Sequence, residues 1–396
     1  MTFQTLDDKR DCKGVFYNGE FYFDKLPRNL DLTWSWSSHL EDYNVDFAEL
    51  WVSGKAIGEV TPDHLRDRYN FAERRLQAHV KAIVQSQINL DDNCIYDLVP
   101  RHVLRQFYHV KNEITEWVVA NNPKPKNYSF LVETQATINE IAQQDLRIDW
   151  DNHNLLFLQD PKAKSLYKRF AKEKSRVIYN LFGTITGRLT TTQESFPIMN
   201  LKTEHRKIVM PQNDLFIELD FNAAEIRTLL ALAGINQPQD DIHKFNIEQV
   251  FKSPMSRDNA KRRFFAWLYN PDSKDEELKN YYNKEKILDK YYKNGYINTI
   301  FGRQIECDSF HSLNYLLQST SSDNCMDRAN KIRKMLSGRK STIAFCLHDC
   351  VVLDFSNQDA HLLPKIKQVF EQTRLGKFKI NLKAGKTYGL LEDFSW

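Results

Sequence analysis

One seven-residue run constrains the fold most, because alternate residues in it share a strand face and a helix-forming segment follows it at once. Leu215–Phe221 reads L-F-I-E-L-D-F, the alternation of a strand. Residues 223–233 are rich in Ala and Leu and end at Gly234, which predicts a helix with a glycine stop. Asp220 therefore lies where a strand gives way to a helix. This acid either presents a functional carboxylate or caps the helix, and the segment alone favours the cap.

A second acid lies at the tip of a predicted hairpin. Thr342–Leu347 and residues 351–355 are apolar and strand-like, and His348-Asp349 joins them as a tight turn. A carboxylate at such a tip can lie beside a second strand end and share two divalent cations with it. These cations would activate an attacking hydroxyl and stabilise a leaving oxygen. The combination of Asp220 and Asp349 is weak evidence for such a site unless the chain also has a cationic element that binds substrate phosphates.

A row of cations and aromatics lies between these two acids. Four side chains recur at four-residue intervals: Arg257, Lys261, Phe265 and Tyr269. Ser256 precedes the row as an N-cap, and Pro271 follows it as a helix stop. On a helix the row follows one gently spiralling face, with its cations near the N-terminus, where the dipole favours anions. The pattern suits a nucleoside triphosphate. The alternative is an amphipathic helix that buries Phe265 and Tyr269.

Composition limits the class of protein without naming a partner. The 396 residues carry 55 Lys and Arg against 52 Asp and Glu, a net charge of +3, so polyanion binding depends on where the cations lie. The length corresponds to about two or three domains. No apolar run reaches the ~18 residues of a membrane span, and the first residues are too polar for a signal peptide. We therefore predict a cytoplasmic or organelle-matrix protein with no membrane partner.

The cysteines predict neither a zinc site nor a disulfide framework. None of the six belongs to a C-x2-C pair, the spacing typical of zinc sites. Cys346 and Cys350 flank His348, but buried reduced thiols are the preferred interpretation.

The first third of the chain predicts a small α/β module. Asn18-Gly19 joins two aromatic runs and predicts a hairpin, because both turn positions need a positive φ. Strands are predicted at 32–36 and 47–52, and mostly helical structure from about 96 to 140.

Seven cations lie between residues 162 and 176 against one acid: Lys162, Lys164, Lys168, Arg169, Lys172, Lys174 and Arg176. They form either a solvated helix face or a contact to a phosphate backbone, and both interpretations stay open.

Taken together, these motifs resemble family A DNA polymerases, the group of bacterial DNA polymerase I and its phage and mitochondrial relatives. Five segments carry the resemblance, in the family's order: 186–189 (T-G-R-L, the primer-template segment), 220–227 (D-F-N-A-A-E-I-R, the first catalytic motif), 257–269 (the nucleotide-binding fingers helix), 295–318 (G-Y-I-x-T-x-F-G-R, then N-x3-Q) and 348–349 (the core of the last catalytic motif). They extend over residues 180 to 396.

The resemblance implies a site for metal and DNA. Catalysis would depend on two Mg²⁺ ions, for which Mn²⁺ could substitute, held by Asp220, Asp349 and the carbonyl of Phe221. Primer-template DNA would be contacted by Thr186, Arg188, Asn314, Gln318 and His348. Three of these, Arg188, Asn314 and Gln318, would read the minor groove, where the acceptors are alike for every correct pair.

The resemblance also implies a dNTP site. The triphosphate would be bound by Arg257, Lys261 and His243. Phe265 would stack beside the sugar, and Tyr269 would lie near the template base. Glu225 would be the steric gate that leaves no room for a ribose 2′-hydroxyl.

The implied fold class is α/β (α+β): a right hand with an antiparallel-sheet palm, helical fingers and a helical thumb. The predicted division is a small α/β module at 1–95, the thumb at 96–179, the palm at 180–229 and 300–396, and the fingers at 230–299. The implied activity is replicative, DNA-templated DNA synthesis, in which dNTPs extend a primer 3′-hydroxyl by two-metal nucleotidyl transfer.

Departures from the family pattern leave alternatives open. Cys350 replaces the acid that usually follows the last-motif Asp, and Asn270 replaces the usual Gly. No D-x-E metal motif of a proofreading exonuclease occurs before residue 150, so we predict that 1–95 is an inactive exonuclease remnant or a docking module. A separate exonuclease or processivity subunit would then be a partner, beside primer-template DNA and dNTPs. The alternatives are relaxed template or sugar choice, and a catalytically silent DNA-binding subunit of a replication complex.

Overall fold

The chain divides into two compact units, Met1–Ala136 and Thr137–Trp396. The structure, a computed structural model, describes residues 1–6, 14–23, 25–41, 43–90, 93–153, 160–171, 175–238, 241–270 and 272–394. The first unit has 16 Lys and Arg against 20 Asp and Glu, and the second has 39 against 32. The near-neutral net charge is therefore the sum of an acidic unit and a basic unit.

The first unit combines a three-stranded antiparallel sheet, in the order β1-β2-β3, with two long helices. Its elements are β1 Phe3–Thr5, β2 Val15–Tyr17, β3 Glu20–Tyr22, β4 Leu32–Thr33, β5 Asp46–Phe47, α1 Ala48–Trp51, α2 Ile57–Val60, α3 Asp63–Gln85, α4 Ile95–Leu98 and α5 Arg101–Asn121. The apolar faces of α3 and α5 pack together, with Leu65 and Tyr69 of α3 in one cluster with Ile114 and Val118 of α5. Both helices therefore belong to the core of this unit.

Local turn chemistry was predicted well in this unit, and one strand was not. The hairpin is confirmed: Asn18 has a φ of 48° and Gly19 a φ of 82°, between paired Tyr17 and Glu20. The predicted strand at 47–52 is wrong after Phe47, because Ala48–Trp51 is a helix. Its residues A-E-L-W include good helix formers, and this propensity prevails here. The strand predicted at 32–36 is shortened to Leu32–Thr33.

The second unit contains the longer elements. Helix α6 Tyr128–Ala142 crosses the boundary, and the further elements are β6 Arg147–Ile148, α7 Pro161–Phe170, β7 Tyr179–Asn180, β8 Thr190–Thr191, β9 Val209–Met210, β10 Leu215–Phe221, α8 Ala224–Ala233, α9 Ile242–Gln249, α10 Arg257–Tyr269, α11 Glu276–Tyr282, α12 Lys284–Tyr291, β11 Tyr292–Lys293, β12 Tyr296–Asn298, β13 Gln304–Glu306, α13 Ser309–Leu336, β14 Thr342–Leu347, β15 Cys350–Phe355, α14 Leu363–Glu371, β16 Gln372–Thr373, β17 Gly376–Lys377, β18 Ile380–Gly385 and β19 Glu392–Asp393. The predicted thumb, 96–179, is divided between the two units, and the five-part division stays a prediction.

A five-stranded sheet in the order β14-β15-β10-β18-β19 holds the two predicted catalytic acids. Every described pairing in it is antiparallel. The predicted strand Leu215–Phe221 is its central strand, β10, and the predicted hairpin is β14–β15. Asp220 lies opposite Cys350 on one side and Asn381 on the other. The register therefore brings the end of β10 next to the hairpin tip.

Helix α7 shows what the basic run does within the described residues. It buries Ala163, Leu166 and Phe170 and exposes its cations. Arg176 forms an ion pair with Asp145, with 2.7 Å between Nε and Oδ1. Lys172 and Lys174 lie outside the described residues. The run is thus in part the exposed face of an amphipathic helix.

The cysteine prediction is wrong at one position. Cys307, Cys325, Cys346 and Cys350 are free thiols, as expected. Cys94, however, is disulfide-bonded, which the sequence spacing around it did not indicate. Within the part of the chain that the structure describes, no helix is long and apolar enough to cross a membrane.

Candidate active site

Two carboxylates come together at one end of the strands of the five-stranded sheet, where β10 ends and the β14–β15 hairpin turns. The N–H of Phe221, the last residue of β10, donates to the carbonyl of Asp349 at 3.3 Å. His348, exposed and with a φ of 51°, makes the tight turn that presents Asp349. Asn381 on β18 donates its Nδ2 to Oδ2 of Asp220 at 3.0 Å. The hairpin tip is therefore fixed against the strand that carries Asp220.

The electrostatics of this pair favour a hard cation. Burial raises the pKa of Asp220 to about 6 against the hydrogen bond from Asn381, and the charge of Asp349 raises it further. Burial also raises the pKa of Asp349. Two desolvated carboxylates that lie close together provide oxygen ligands with an excess of negative charge, which Mg²⁺ prefers. These residues fit a divalent metal, and the Phe221 carbonyl is a further oxygen at the same strand end.

Cys350 contributes no charge to this pair. It is buried directly opposite Asp220, and burial raises the pKa of its thiol well above the ordinary value. The missing acid of the family pattern is therefore replaced by a neutral thiol.

Glu225 joins three elements beside the carboxylate pair. Ala223 has a φ of 53° and turns the chain from β10 into α8, so that Glu225 lies in the first turn of the helix. Its carboxylate accepts hydrogen bonds from Nη2 of Arg188 and from the hydroxyl of Tyr269. Burial and this bond raise the pKa of Tyr269. The T-G-R-L segment, α8 and the end of α10 thus meet at one carboxylate.

The cationic and aromatic row faces outward from α10. The helix begins after Ser256, whose Oγ accepts from the N–H of Asn259 at 3.3 Å, and it buries a neighbouring face: Ala260, Phe264, Trp267 and Leu268. Tyr269 is 42% exposed, whereas Phe265 is half-buried and packs against the core cluster of this unit. Their rings stack with centroids 5.7 Å apart. The alternative of a helix that buries both aromatics therefore holds in part for Phe265 and not for Tyr269. Pro271, the predicted stop, lies outside the described residues.

The three predicted triphosphate ligands lie near one another. Arg257 begins α10, and its guanidinium binds Asp241, which precedes α9, through Nη2 and Oδ2 at 2.8 Å. His243, in the first turn of α9, is buried with its ring 6.2 Å from that of Phe265. Burial lowers the pKa of His243 against the charge of Asp241, and the positive charges of Arg257 and Lys261 lower it further. The row on α10 and the start of α9 are thus neighbours, with the Asp241 carboxylate between them.

The T-G-R-L segment is positioned by a buried ion pair. Gly187 has a φ of 77°, and a Cβ at this position would lie 2.4 Å from the guanidinium of Arg303. Arg303 donates Nη2 to Oδ1 of Asp323 at 2.7 Å and Nε to Oδ2 at 3.0 Å. Ser322 donates its Oγ to the carbonyl of Gly187 at 3.1 Å. Thr186 is buried and Arg188 is half-buried, so the segment has little freedom beside α13.

Gly187→Ala is expected to destabilise the protein more than Gly234→Ala. Both glycines have a left-handed backbone, which costs alanine about 1–2 kcal/mol. Only at Gly187 does the new methyl group meet a fixed guanidinium, and such overpacking adds about 1–3 kcal/mol. Urea unfolding of the two variants measures the difference. Equal losses of unfolding free energy would show that Arg303 does not confine Gly187.

The remaining predicted DNA contacts lie on α13 and at the hairpin tip. Asn314 and Gln318 are one turn apart, and Gln318 donates Nε2 to Oδ1 of Asn314 at 2.7 Å. Both are half-buried, whereas His348 is exposed. Asp323 lies further along the same helix, so α13 connects these side chains with the T-G-R-L segment.

Sequence reasoning missed the residues that orient the predicted ones. Asn381 and Asp323 lie far along the chain from the side chains they bind, so no local pattern indicates them. Asp241 lies in the D-I-H segment beside His243, and its position before a helix was the available signal.

One other cluster has metal-ligand residue types. Asp160, Glu204 and His205 each offer a ligand atom within 4.8 Å of the others. Lys202 already donates Nζ to Oδ2 of Asp160 at 2.7 Å, and Nε2 of His205 lies 3.1 Å from the same oxygen. Because an ammonium group occupies the position of a cation, we interpret this cluster as an ion-pair network.

Comparison with known proteins adds a likeness of fold to solved structures. No protein-family model matches the chain, and no curated protein matches it. Among solved structures, the chain is similar to the POL domain of Pol1 from M. smegmatis in complex with a DNA primer-template and dNTP. The TM-score is 0.54 at 13% sequence identity, over 72% of this chain and 75% of that chain.

The likeness shows a mixed helix and sheet fold that resembles a polymerase domain, and it confirms that part of the sequence prediction. The assignments of palm, fingers and thumb, of family A and of each site residue stay predictions.

Proposed function

We propose that this chain is a DNA-templated DNA polymerase that extends a primer 3′-hydroxyl with dNTPs. The observation that carries the proposal is that Asp220 and Asp349 lie together at the end of β10. The row of Arg257, Lys261, Phe265 and Tyr269 on α10 lies in the same unit. The fold likeness to a polymerase domain, solved with primer-template and dNTP, supports the same conclusion. Family A is the membership that the five sequence motifs favour.

Asp220, Asp349 and the Phe221 carbonyl would hold two Mg²⁺ ions, for which Mn²⁺ could substitute. When bound, these ions neutralise charge on the reacting phosphate and favour ionisation of the attacking hydroxyl. The primer 3′-oxygen attacks the α-phosphorus and loses its proton, the bond to the bridging oxygen breaks, and pyrophosphate leaves with the electron pair. The chain's own residues would contribute mainly by positioning the reactants.

The first turns of α9 and α10 would bind the triphosphate through Arg257, Lys261 and His243, with Phe265 beside the sugar and Tyr269 beside the template base. The exposed cations lie near the N-terminus of α10, where the helix dipole also favours phosphate. Arg188 and Thr186, together with Asn314, Gln318 and His348, would contact the primer-template.

Template-directed incorporation of a single nucleotide tests the proposal. The purified chain, Mg²⁺ and one dNTP at a time are added to four primer-templates that differ only in the templating base. We expect extension only by the complementary dNTP. Incorporation without regard to the template base would contradict templated synthesis, and no incorporation would favour the silent DNA-binding subunit, for which the neutral Cys350 is the supporting observation. An RNA template strand tests relaxed template choice.

Glu225→Ala is expected to weaken sugar discrimination. Glu225 is held by Arg188 and Tyr269 beside the aromatic end of the row, where a ribose 2′-hydroxyl would have to fit. Removing the carboxylate should raise the ratio of kcat/KM for rNTPs to that for dNTPs about tenfold or more, equivalent to about 1.4 kcal/mol. Glu392→Gln, at the sheet edge on β19, is the control. An unchanged ratio in Glu225→Ala would refute the gate.

We propose that the polymerase acts in replication without proofreading of its own. The absence of a D-x-E motif before residue 150 supports this proposal, together with residues 1–95 as an exonuclease remnant or docking module. A separate exonuclease or processivity subunit would complement the chain. Degradation of a mispaired primer 3′ end by the purified chain would contradict the proposal.

A further inference from the structure

One carboxylate binds both elements that carry the predicted triphosphate ligands. Asp241 is the N-cap of α9: its Oδ1 accepts from the N–H of His243 at 3.0 Å and from the N–H of Lys244 at 3.1 Å. The same carboxylate binds the first residue of α10, since Arg257 donates Nε to Oδ1 at 3.2 Å and Nη2 to Oδ2 at 2.8 Å. The orientation of Arg257 is therefore tied to the helix start that carries His243.

The surroundings of Asp241 keep it ionised. Burial alone would raise its pKa, but the hydrogen bonds from Arg257 and from the N–H groups of Lys244 and His243 outweigh burial and lower the pKa to about 2. Burial lowers the pKa of Arg227, fully buried on α8, to about 10, and the nearby charge of Asp241 opposes this shift. Its Nη1 donates to the carbonyl of Pro238 at 2.8 Å, which fixes the chain before α9.

The geometry leaves one edge of the Arg257 guanidinium for a ligand. A guanidinium has five N–H donors, and Asp241 takes one from Nε and one from Nη2. Nη1 donates to no acceptor among the described residues, and the side chain is 48% exposed. A phosphate can therefore bind the Nη1–Nη2 edge while Asp241 keeps the other edge. Nδ1 of His243 likewise finds no hydrogen-bond partner among the residues described and is buried.

We propose that Asp241 is a positioning residue for triphosphate binding, which holds the guanidinium of Arg257 in one orientation beside the helix start of His243 before the nucleotide arrives. This inference rests on the proposed function. Asp241 itself does not touch the nucleotide: it acts through the guanidinium of Arg257, which does.

The chain offers a matched control in Asp275. Asp275 is the N-cap of α11, where its Oδ1 accepts from the N–H of Leu278 at 3.2 Å. It also binds an arginine of α10 through both oxygens, since Arg263 donates Nε to Oδ2 at 2.6 Å and Nη2 to Oδ1 at 2.9 Å. Arg263 lies outside the row of Arg257, Lys261, Phe265 and Tyr269. Asp241 and Asp275 thus share the helix cap and the bidentate arginine pair. They differ in which arginine they orient, and Arg263 also donates Nη2 to Oε2 of Glu277 at 2.7 Å.

Binding of dATP with Mg²⁺ to the full chain, measured by isothermal titration calorimetry, tests the inference without relying on catalysis. We expect Asp241→Asn, whose amide oxygen can still cap α9, to weaken dATP binding about tenfold to a hundredfold, because a charge-assisted bidentate pair is lost. We expect Asp275→Asn to bind within about twofold of wild type, since the effect of a distant site is independent. In an Arg257→Ala background, Asp241→Asn should weaken binding by less than about threefold, because it acts through that arginine.

Three results from the variants would overturn the inference: unchanged or tighter dATP binding by Asp241→Asn, an equal loss in Asp275→Asn, or a full additional loss in the Arg257→Ala background. Tighter binding would show that Asp241 competes with the triphosphate. Primer extension by the same proteins separates this inference from the proposed function. If wild type extends the primer and Asp241→Asn binds dATP as wild type does, only the positioning role is contradicted. If the variants show the expected losses of dATP binding but wild type does not extend the primer, only the polymerase proposal is contradicted. No binding of dATP by wild type would overturn the inference.

Discussion

Asp220→Asn and Asp349→Asn are each expected to lower the single-turnover rate of primer extension about a thousandfold or more, equivalent to about 4 kcal/mol of transition-state stabilisation. Each substitution removes one of the two charges that lie side by side at the end of β10 and the tip of the β14–β15 hairpin. An amide is a neutral and weaker ligand for a divalent cation. Cys350 adds no charge and therefore does not replace the lost carboxylate.

The measurement separates chemistry from binding. Rapid-quench extension of a labelled primer gives the rate, and fluorescence anisotropy gives the affinity for primer-template. The affinity should stay within about threefold of wild type, because single interactions outside the DNA contacts contribute little to it. Glu392→Gln, which removes a carboxylate from the edge strand of the same sheet, should extend normally. A rate within tenfold of wild type for either aspartate variant would contradict the metal assignment.

Asp323→Asn is expected to lower the free energy of unfolding by about 3–5 kcal/mol, because it leaves a buried arginine without its counter-charge. Asp323 is almost fully buried in α13, and the guanidinium of Arg303 binds both its oxygens. The same guanidinium lies against Gly187, so the T-G-R-L segment should loosen as well.

Urea unfolding followed by circular dichroism measures this loss. Asp308→Asn is the control on the same helix: Asp308 is an exposed N-cap whose Oδ1 accepts from the N–H of His311 at 2.8 Å, and asparagine caps a helix about as well. Its cost should be below about 0.5 kcal/mol. A similar small cost for Asp323→Asn would show that the ion pair does not hold this unit together.

Local periodicity was sufficient for the elements that carry the predicted site. The alternation of L-F-I-E-L-D-F fixed β10, and the turn at His348-Asp349 fixed the hairpin, because side-chain period and turn geometry are properties of neighbouring residues. The four-residue spacing from Arg257 predicted a single helix face, and the structure has that face outward. The resemblance to polymerase motifs then predicted a mixed helix and sheet fold like that of a polymerase domain, and the likeness to the solved POL domain confirms this much.

Contacts between residues far apart in the chain could not be predicted from the sequence. Asn381 beside Asp220 depends on β18 returning to β10, and Asp323 beside Arg303 depends on where α13 crosses the unit. A single sequence does not state such contacts. The strand predicted at 47–52 failed for a local reason, because helix propensity and packing prevail at Ala48–Trp51. The disulfide at Cys94 was missed because the spacing of residues around a cysteine does not indicate its partner.

Primer extension by the full chain tests the central claim most directly. A labelled primer annealed to a longer DNA template is incubated with the purified protein, four dNTPs and Mg²⁺, with and without EDTA. The account predicts products that reach the end of the template, none in EDTA, and recovery when excess Mg²⁺ is added. A folded protein that binds the primer-template and yet never extends it in Mg²⁺ or Mn²⁺ would contradict the account.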